Sequence, residues 1–99
     1  MEFSIERQDQ ELRVTLQGRL DTVTTPEVNE KVTEALGGSV VCILEAEGLE
    51  YISSAGLRLL LLLHKRMAAA GGRLLLRNVR PGVRDILEMT GFASFLAIE

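Results

Sequence analysis

In this 99-residue sequence the side chains with chemical potential are two adjacent serines, one histidine, one cysteine and a group of glutamates. Ser53 and Ser54 precede an apolar stretch, His64 lies within that stretch, Cys42 sits inside Val40-Val41-Cys42-Ile43-Leu44, and Glu45, Glu47 and Glu50 follow that run. A nucleophilic serine needs a base within hydrogen-bond reach. The only histidine lies on the same expected helix as Ser54, roughly 15 Å away along its axis, which excludes a Ser-His pair within this chain. No Gly-x-Ser-x-Gly elbow, Gly-x-x-x-x-Gly-Lys phosphate loop or Gly-x-Gly-x-x-Gly segment is present, and one cysteine with one histidine cannot close a zinc site. The glutamates read as solvated loop or rim, with nothing apolar beside them to raise a pKa for acid catalysis. The expectation is therefore no catalytic residue, no metal and no cofactor.

The serine pair has two readings. A serine at a helix N-cap accepts a hydrogen bond from a first-turn amide, worth about 1 kcal/mol, which accounts for one serine and not two. The same helix end favours negative charge, so a phosphate on Ser54 is compatible with the fold. From the residues alone, cap plus loop serine stands beside modification site. Gly56 costs helix stability so near a helix start, and either close approach of a second protein or tight packing on a sheet would justify it. At 100° per residue, Arg58, Lys65 and Arg66 mark a polar sector of the helix that also holds Leu62. An exposed leucine is expected there, as an ordinary surface residue or as an interface anchor. His64 falls among Leu57, Leu60, Leu61 and Met67, which predicts a packed, hydrogen-bonded side chain.

The elements that must position these residues follow from apolar spacing. Phe3 and Ile5, then Leu12, Val14 and Leu16, alternate with polar neighbours as two half-buried strands, with residues 7–10 turning between them. Residues 18–25 read as a polar connection. Pro26 opens a helix carrying Val28, Val32, Ala35 and Leu36, capped by Thr24 or Thr25 and ended by Gly37-Gly38. Residues 40–44 form a central buried strand and 45–52 a loop. A long helix runs from about residue 55 to 70 and stops at Gly71-Gly72. A strand over 73–77, a helix from Pro81 with Val83, Ile86, Leu87 and Met89, and a last strand over 95–98 complete the chain. The order β-β-α-β-α-β-α-β predicts a single-domain α/β fold. Its sheet is mixed and mostly parallel, with four or five strands, an N-terminal antiparallel hairpin and helices packed on it.

Composition narrows the function classes. Apolar residues at 46% and charged residues at 25% suit a soluble globular domain that folds alone rather than a disordered segment. Eleven Lys and Arg against 14 Asp and Glu give a net charge of −3, which offers no basic field to nucleic acid or an anionic membrane surface. The single cysteine cannot form an internal disulfide, and its apolar setting fits a reducing cytoplasm. The longest apolar run, residues 59–63, falls far short of the roughly 20 residues that span a bilayer, and the N-terminus shows no targeting pattern.

The segment Tyr51-Ile52-Ser53-Ser54-Ala55-Gly56-Leu57, preceded by Gly48-Leu49 after an apolar strand, resembles the signature loop of the anti-sigma-factor antagonists, the bacterial STAS-domain family. Gly18-Arg19-Leu20-Asp21 followed by Thr24 is similar to that family's Gly-acidic-Leu-Asp segment. Gly71-Gly72, Pro81-Gly82-Val83 and Met89-Thr90-Gly91-Phe92 also sit where the family has them, so the likeness spans essentially the whole chain.

The resemblance implies a STAS-like domain that regulates transcription by binding rather than by catalysis. In its dephosphorylated form it would bind an anti-sigma factor that is also a serine-protein kinase, and so free a sigma factor. It implies Ser54 as the residue that kinase phosphorylates, and a phosphatase that acts on phospho-Ser54. Ser53 stands where the best-known members often carry aspartate, and Glu45-Ala46-Glu47 where they carry an Asp-containing segment. Asp21 holds the matching acidic position, which implies that its loop lies near Ser54. The partner-binding set expected is Asp21, Thr22, Thr24, Ser53, Ser54, Ala55, Gly56, Arg58 and Leu62. A phosphate adds about −1.5 to −2 charge, so desolvation and repulsion against a partner should oppose docking of the modified form. The alternative role within the same family is a STAS subunit of a lipid-transport ABC complex or of a larger signalling assembly.

Overall fold

A computed structural model describes residues 1–99. The period-two apolar pattern at the N-terminus becomes a hairpin of β1 (Glu2–Gln8) and β2 (Glu11–Leu20), paired antiparallel. Its turn is tighter than the polarity of residues 7–10 suggests. Only Asp9 and Gln10 separate the strands, and Asp9 takes the left-handed conformation at φ 57° that suits a short hairpin connection. There follow α1 (Thr25–Ala35), β3 (Val41–Ile52), α2 (Ser54–Ala69), β4 (Arg73–Arg77), α3 (Pro81–Met89), a short 3-10 turn (Phe92–Ser94) and β5 (Ala97–Ile98). The strands lie side by side in the order β1-β2-β3-β4-β5, and every pair after the hairpin is parallel.

That sequential order has a consequence for the layers. All three strand-helix-strand crossovers step in the same direction across the sheet, and their right-handedness then puts α1, α2 and α3 on one face. Burial agrees. Leu12, Val14 and Leu16 of β2, Cys42, Leu44 and Ala46 of β3, and Leu74 and Leu76 of β4 share one apolar cluster with Val28 and Val32 of α1, Leu60, Leu63 and Met67 of α2, and Val83 and Leu87 of α3. Burying each such leucine contributes roughly 2 kcal/mol. The opposite face carries Arg13, Thr15, Glu45, Arg73 and Arg77, with Ile43 and Leu75 buried among them yet outside the main cluster. Within the core, burial pushes the Cys42 thiol up to about 12.

Three elements differ from the sequence reading. β3 continues to Ile52, where a loop over 45–52 was expected, and β2 continues through Gly18 to Leu20. The cause is a pair of bulges. Between Thr15 and Gln17 the partner strand advances from Glu45 to Gly48, and between Gly18 and Arg19 it advances from Leu49 to Tyr51. Each extra residue shifts the parity of β3, so its buried positions run Cys42, Leu44, Ala46, Leu49, Ile52 and the alternation that marks a strand is broken. The last strand is only Ala97–Ile98, because residues 92–94 coil into the 3-10 turn first. Met89, expected on the apolar face of its helix, is 85% exposed.

Candidate functional site

The site lies at the carboxyl ends of the parallel strands, where open α/β sheets place their binding crevices. β2 and β3 end side by side at Leu20 and Ile52, and the Ser53 amide donates to the Leu20 carbonyl at 2.9 Å. This bond ties the start of α2 to the start of the connection leading into α1, so the N-termini of both helices face the same edge of the sheet.

The connection after β2 is a compact turn built on Asp21. Its Oδ1 accepts from the Val23 amide at 3.0 Å and the Thr24 amide at 3.1 Å, and the Thr24 hydroxyl donates to the Arg19 carbonyl at 2.7 Å. The bond from the Thr24 amide is the main cause that holds the Asp21 carboxyl below its ordinary value of 3.8; partial desolvation opposes it, and the Val23 amide, the Thr24 hydroxyl and the Arg19 charge reinforce it. Arg19 stacks its guanidinium over Tyr51, 4.1 Å from the ring centroid, beside Asp21 at 3.9 Å. Thr24 occupies the N-cap position of α1, but its side chain folds back to Arg19 and Asp21 instead of capping a first-turn amide.

At α2, Ser53 is the N-cap residue by backbone conformation, and its carbonyl accepts from the Leu57 amide at 2.9 Å. The expected side-chain cap is absent: the Ser53 hydroxyl is buried without a hydrogen-bond partner. Ser53 therefore shapes the site through its backbone, and its oxygen is not displayed to a partner. Ser54, the first residue of the helix, is exposed. Of the two reasons advanced for Gly56, the structure supplies tight packing. A Cβ there would lie 2.6 Å from Ile52 Cγ1 and 2.9 Å from the Leu20 carbonyl oxygen. Gly56 is buried against the ends of β2 and β3.

Between the helices a groove of about 400 Å³ opens, and Ala55, which follows Ser54, lines it. Thr22, Thr25, Pro26 and Asn29 form its α1 side, and Ala55, Arg58, Leu59 and Leu62 its α2 side. Thr22, Ala55, Arg58 and Leu62 of the expected set thus meet in one feature. Leu62, expected to be exposed, is half-buried because it forms part of this wall. Arg58 is exposed and joins none of the four ion pairs. The sequence reading missed Thr25, Pro26, Asn29 and Leu59 as lining residues, and Val23, which stands 85% exposed at the tip of the Asp21 turn. Thr25 is 8% exposed, and its hydroxyl has no partner within the protein. An apolar residue in an otherwise polar turn was the one available signal for Val23.

Ser54 and the groove-lining Thr22 are the exposed hydroxyl-bearing residues of this arrangement. It has no nucleophile-base pair. His64 is three helical turns from Ser54 and packs on Phe95, with ring centroids 5.0 Å apart, in place of the hydrogen bond expected of it. No group of three or more His, Cys, Asp or Glu is gathered to hold a metal ion, and no helix is long and apolar enough to cross a membrane.

Comparison with known proteins matches this geometry to a family. BtrV of Bordetella bronchiseptica, which carries the name of an anti-sigma factor antagonist, is 30% identical over 99 residues, spanning 99% of this chain and 85% of its own. The anti-sigma F factor antagonist of Lysinibacillus sphaericus is 28% identical over 99 residues, spanning 97% of this chain and 85% of its own. The Bacillus protein SpoIIAA shares the fold at 24% identity over 99% of this chain, with TM-scores of 0.81 for its unphosphorylated form and 0.78 for its phosphorylated form, of which 87% and 91% are covered. The STAS domain model matches residues 2–99, and the chain belongs to the STAS domain family.

Proposed function

We propose that this protein is an anti-sigma factor antagonist: a binding module, not an enzyme, whose unmodified form docks on an anti-sigma factor with serine-kinase activity and so releases a sigma factor in the cytoplasm. Phosphorylation of Ser54 switches docking off. The observation that carries this reading is the exposed Ser54 at the first position of α2, one residue before Ala55 of the groove between α1 and α2. The names of the curated relatives support the antagonist role. SpoIIAA, solved in both forms, is an example of this fold carrying a phosphate.

The partner surface is the end of the sheet where the helix N-termini converge. Asp21 fixes the turn that presents Thr22, Val23 and Thr24; Ser54, Ala55, Arg58 and Leu62 form the facing helix, with Ser53 holding its start by its backbone. In the kinase step the Ser54 oxygen attacks the γ-phosphorus of ATP, its proton passes to a base of the kinase, and ADP leaves. A phosphatase returns the hydroxyl by adding water across the ester and releasing inorganic phosphate. The new dianion sits at the mouth of the groove, where a docked partner would have to desolvate it.

The test is to incubate the protein with its captured kinase and ATP and map the phosphate by mass spectrometry. One phosphate on Ser54, abolished by Ser54→Ala although Ser53 remains, is the expected result. Incorporation at Ser53, or none at all, would overturn the assignment.

A further inference from the structure

The groove and the modification site meet in one side chain. Ser54, Arg58 and Leu62 are successive i,i+4 positions of α2, each step turning about 40° around the axis. Arg58 therefore stands between the exposed hydroxyl on one side and the groove wall on the other, and it lines that wall with Leu62. It is the first of three cations on α2, with Lys65 and Arg66, and this helix carries no carboxylate. None of the three takes part in an ion pair. Across the groove the α1 wall is formed by Thr22, Thr25, Pro26 and Asn29, with the Thr25 hydroxyl oxygen itself buried. Arg58 thus lines the groove with no ion-pair partner from the protein itself.

The geometry points to Arg58 as the residue that transmits the modification: a phosphate on Ser54 draws the Arg58 guanidinium across one helical turn and out of the groove. This rests on the assignment of Ser54 as the modified residue. Side chains four apart on a helix are neighbours, with Cβ atoms about 5–6 Å apart, and an anion N-terminal to a cation is the favoured order. A guanidinium matches phosphate oxygens with two parallel hydrogen bonds. In the unmodified protein nothing on α2 competes for Arg58, so it remains in the groove as a donor for an acidic side chain of the docking partner. With phosphate in place, the groove loses that cation and gains an anion at its rim. Arg58 is a positioning residue in this scheme and reacts with nothing.

The phosphate can be installed without any kinase, by incorporating phosphoserine at position 54 during synthesis. Its second ionisation is then followed by phosphorus NMR in the wild-type background, in Arg58→Gln and in Arg58→Lys. Removal of the guanidinium should raise the titration midpoint by about 0.5 pH unit, with lysine giving an intermediate value. Lys65→Gln, almost two turns further from the phosphate than Arg58, should leave it unchanged, which separates a local contact from a change in net charge. The Arg58 Nε signal should move on modification. Identical midpoints in wild type and Arg58→Gln, or an equal shift in Lys65→Gln, would overturn the role of Arg58 and leave Ser54 as modification site untouched. Failure of Ser54 to be phosphorylated in cells would remove the modification reading and leave this titration result standing.

Discussion

Thr25 buries a hydroxyl that finds no partner within the protein, and a buried donor left unpaired costs about 1–3 kcal/mol. Replacement by the similarly shaped valine removes that cost. Thr25→Val should leave the urea midpoint unchanged or raise stability by up to about 1 kcal/mol. A clear loss of stability would show that the oxygen is satisfied in the folded protein. Asp21 acts in the opposite sense, since its Oδ1 accepts from the Val23 and Thr24 amides of the turn. Its carboxyl lies below the ordinary value of 3.8, chiefly through the Thr24 amide, so it contributes stability above that pH and the contribution is lost as pH falls through the lower folded-state value. The Val23 and Thr24 amide signals should therefore move together in an acid titration with a midpoint under 3.8, and Asp21→Asn should remove that transition. A midpoint above the ordinary value would contradict the hydrogen bonding of the turn.

For α2 the decisive contact is at Gly56. Alanine is the better helix former by about 1 kcal/mol, yet its Cβ would lie 2.6 Å from Ile52 Cγ1 and 2.9 Å from the Leu20 carbonyl oxygen, and overpacking of that kind costs about 1–3 kcal/mol. The clash outweighs the propensity, because one of its two neighbours is backbone. Gly56→Ala should destabilise the protein by about 1–2 kcal/mol in equilibrium denaturation and weaken binding by moving Ser54 and Arg58 outward. A stabilised variant would show that α2 does not sit this close to the ends of β2 and β3. The sequence marked the bounds of this helix well, through Ser53-Ser54 at its start and Gly71-Gly72 beyond its end, and β4 matches residues 73–77. The same pattern reading lost the second half of β3, because two bulges shift the strand's parity and make Leu49 and Ile52 look irregular. The choice between the reasons for Gly56 needed a distance to Ile52, which sequence does not carry. Thr25, read only as a possible cap, and Asn29 were not placed in the groove because α1 showed itself through Val28 and Val32, the positions that face the core.

Across the whole molecule the topology separates support from signal. Helices on one face of a sequentially ordered sheet give a single buried core, while the groove between α1 and α2 opens at the strand ends, with Leu59 the lining residue it shares with that core. A charge added at Ser54 would stand on an exposed residue at the first position of α2, and negative charge at a helix N-terminus is mildly stabilising. Modification should leave circular dichroism and thermal unfolding essentially unchanged while changing what the surface can bind. The most direct measurement is calorimetric titration of the isolated anti-sigma factor with this protein, once with Ser54 free and once with phosphoserine at position 54. We expect tight binding for the free form and a loss of about 100-fold or more, equivalent to about 2.7 kcal/mol, for the phosphorylated form with its fold intact. Equal affinities for the two forms would contradict the switch.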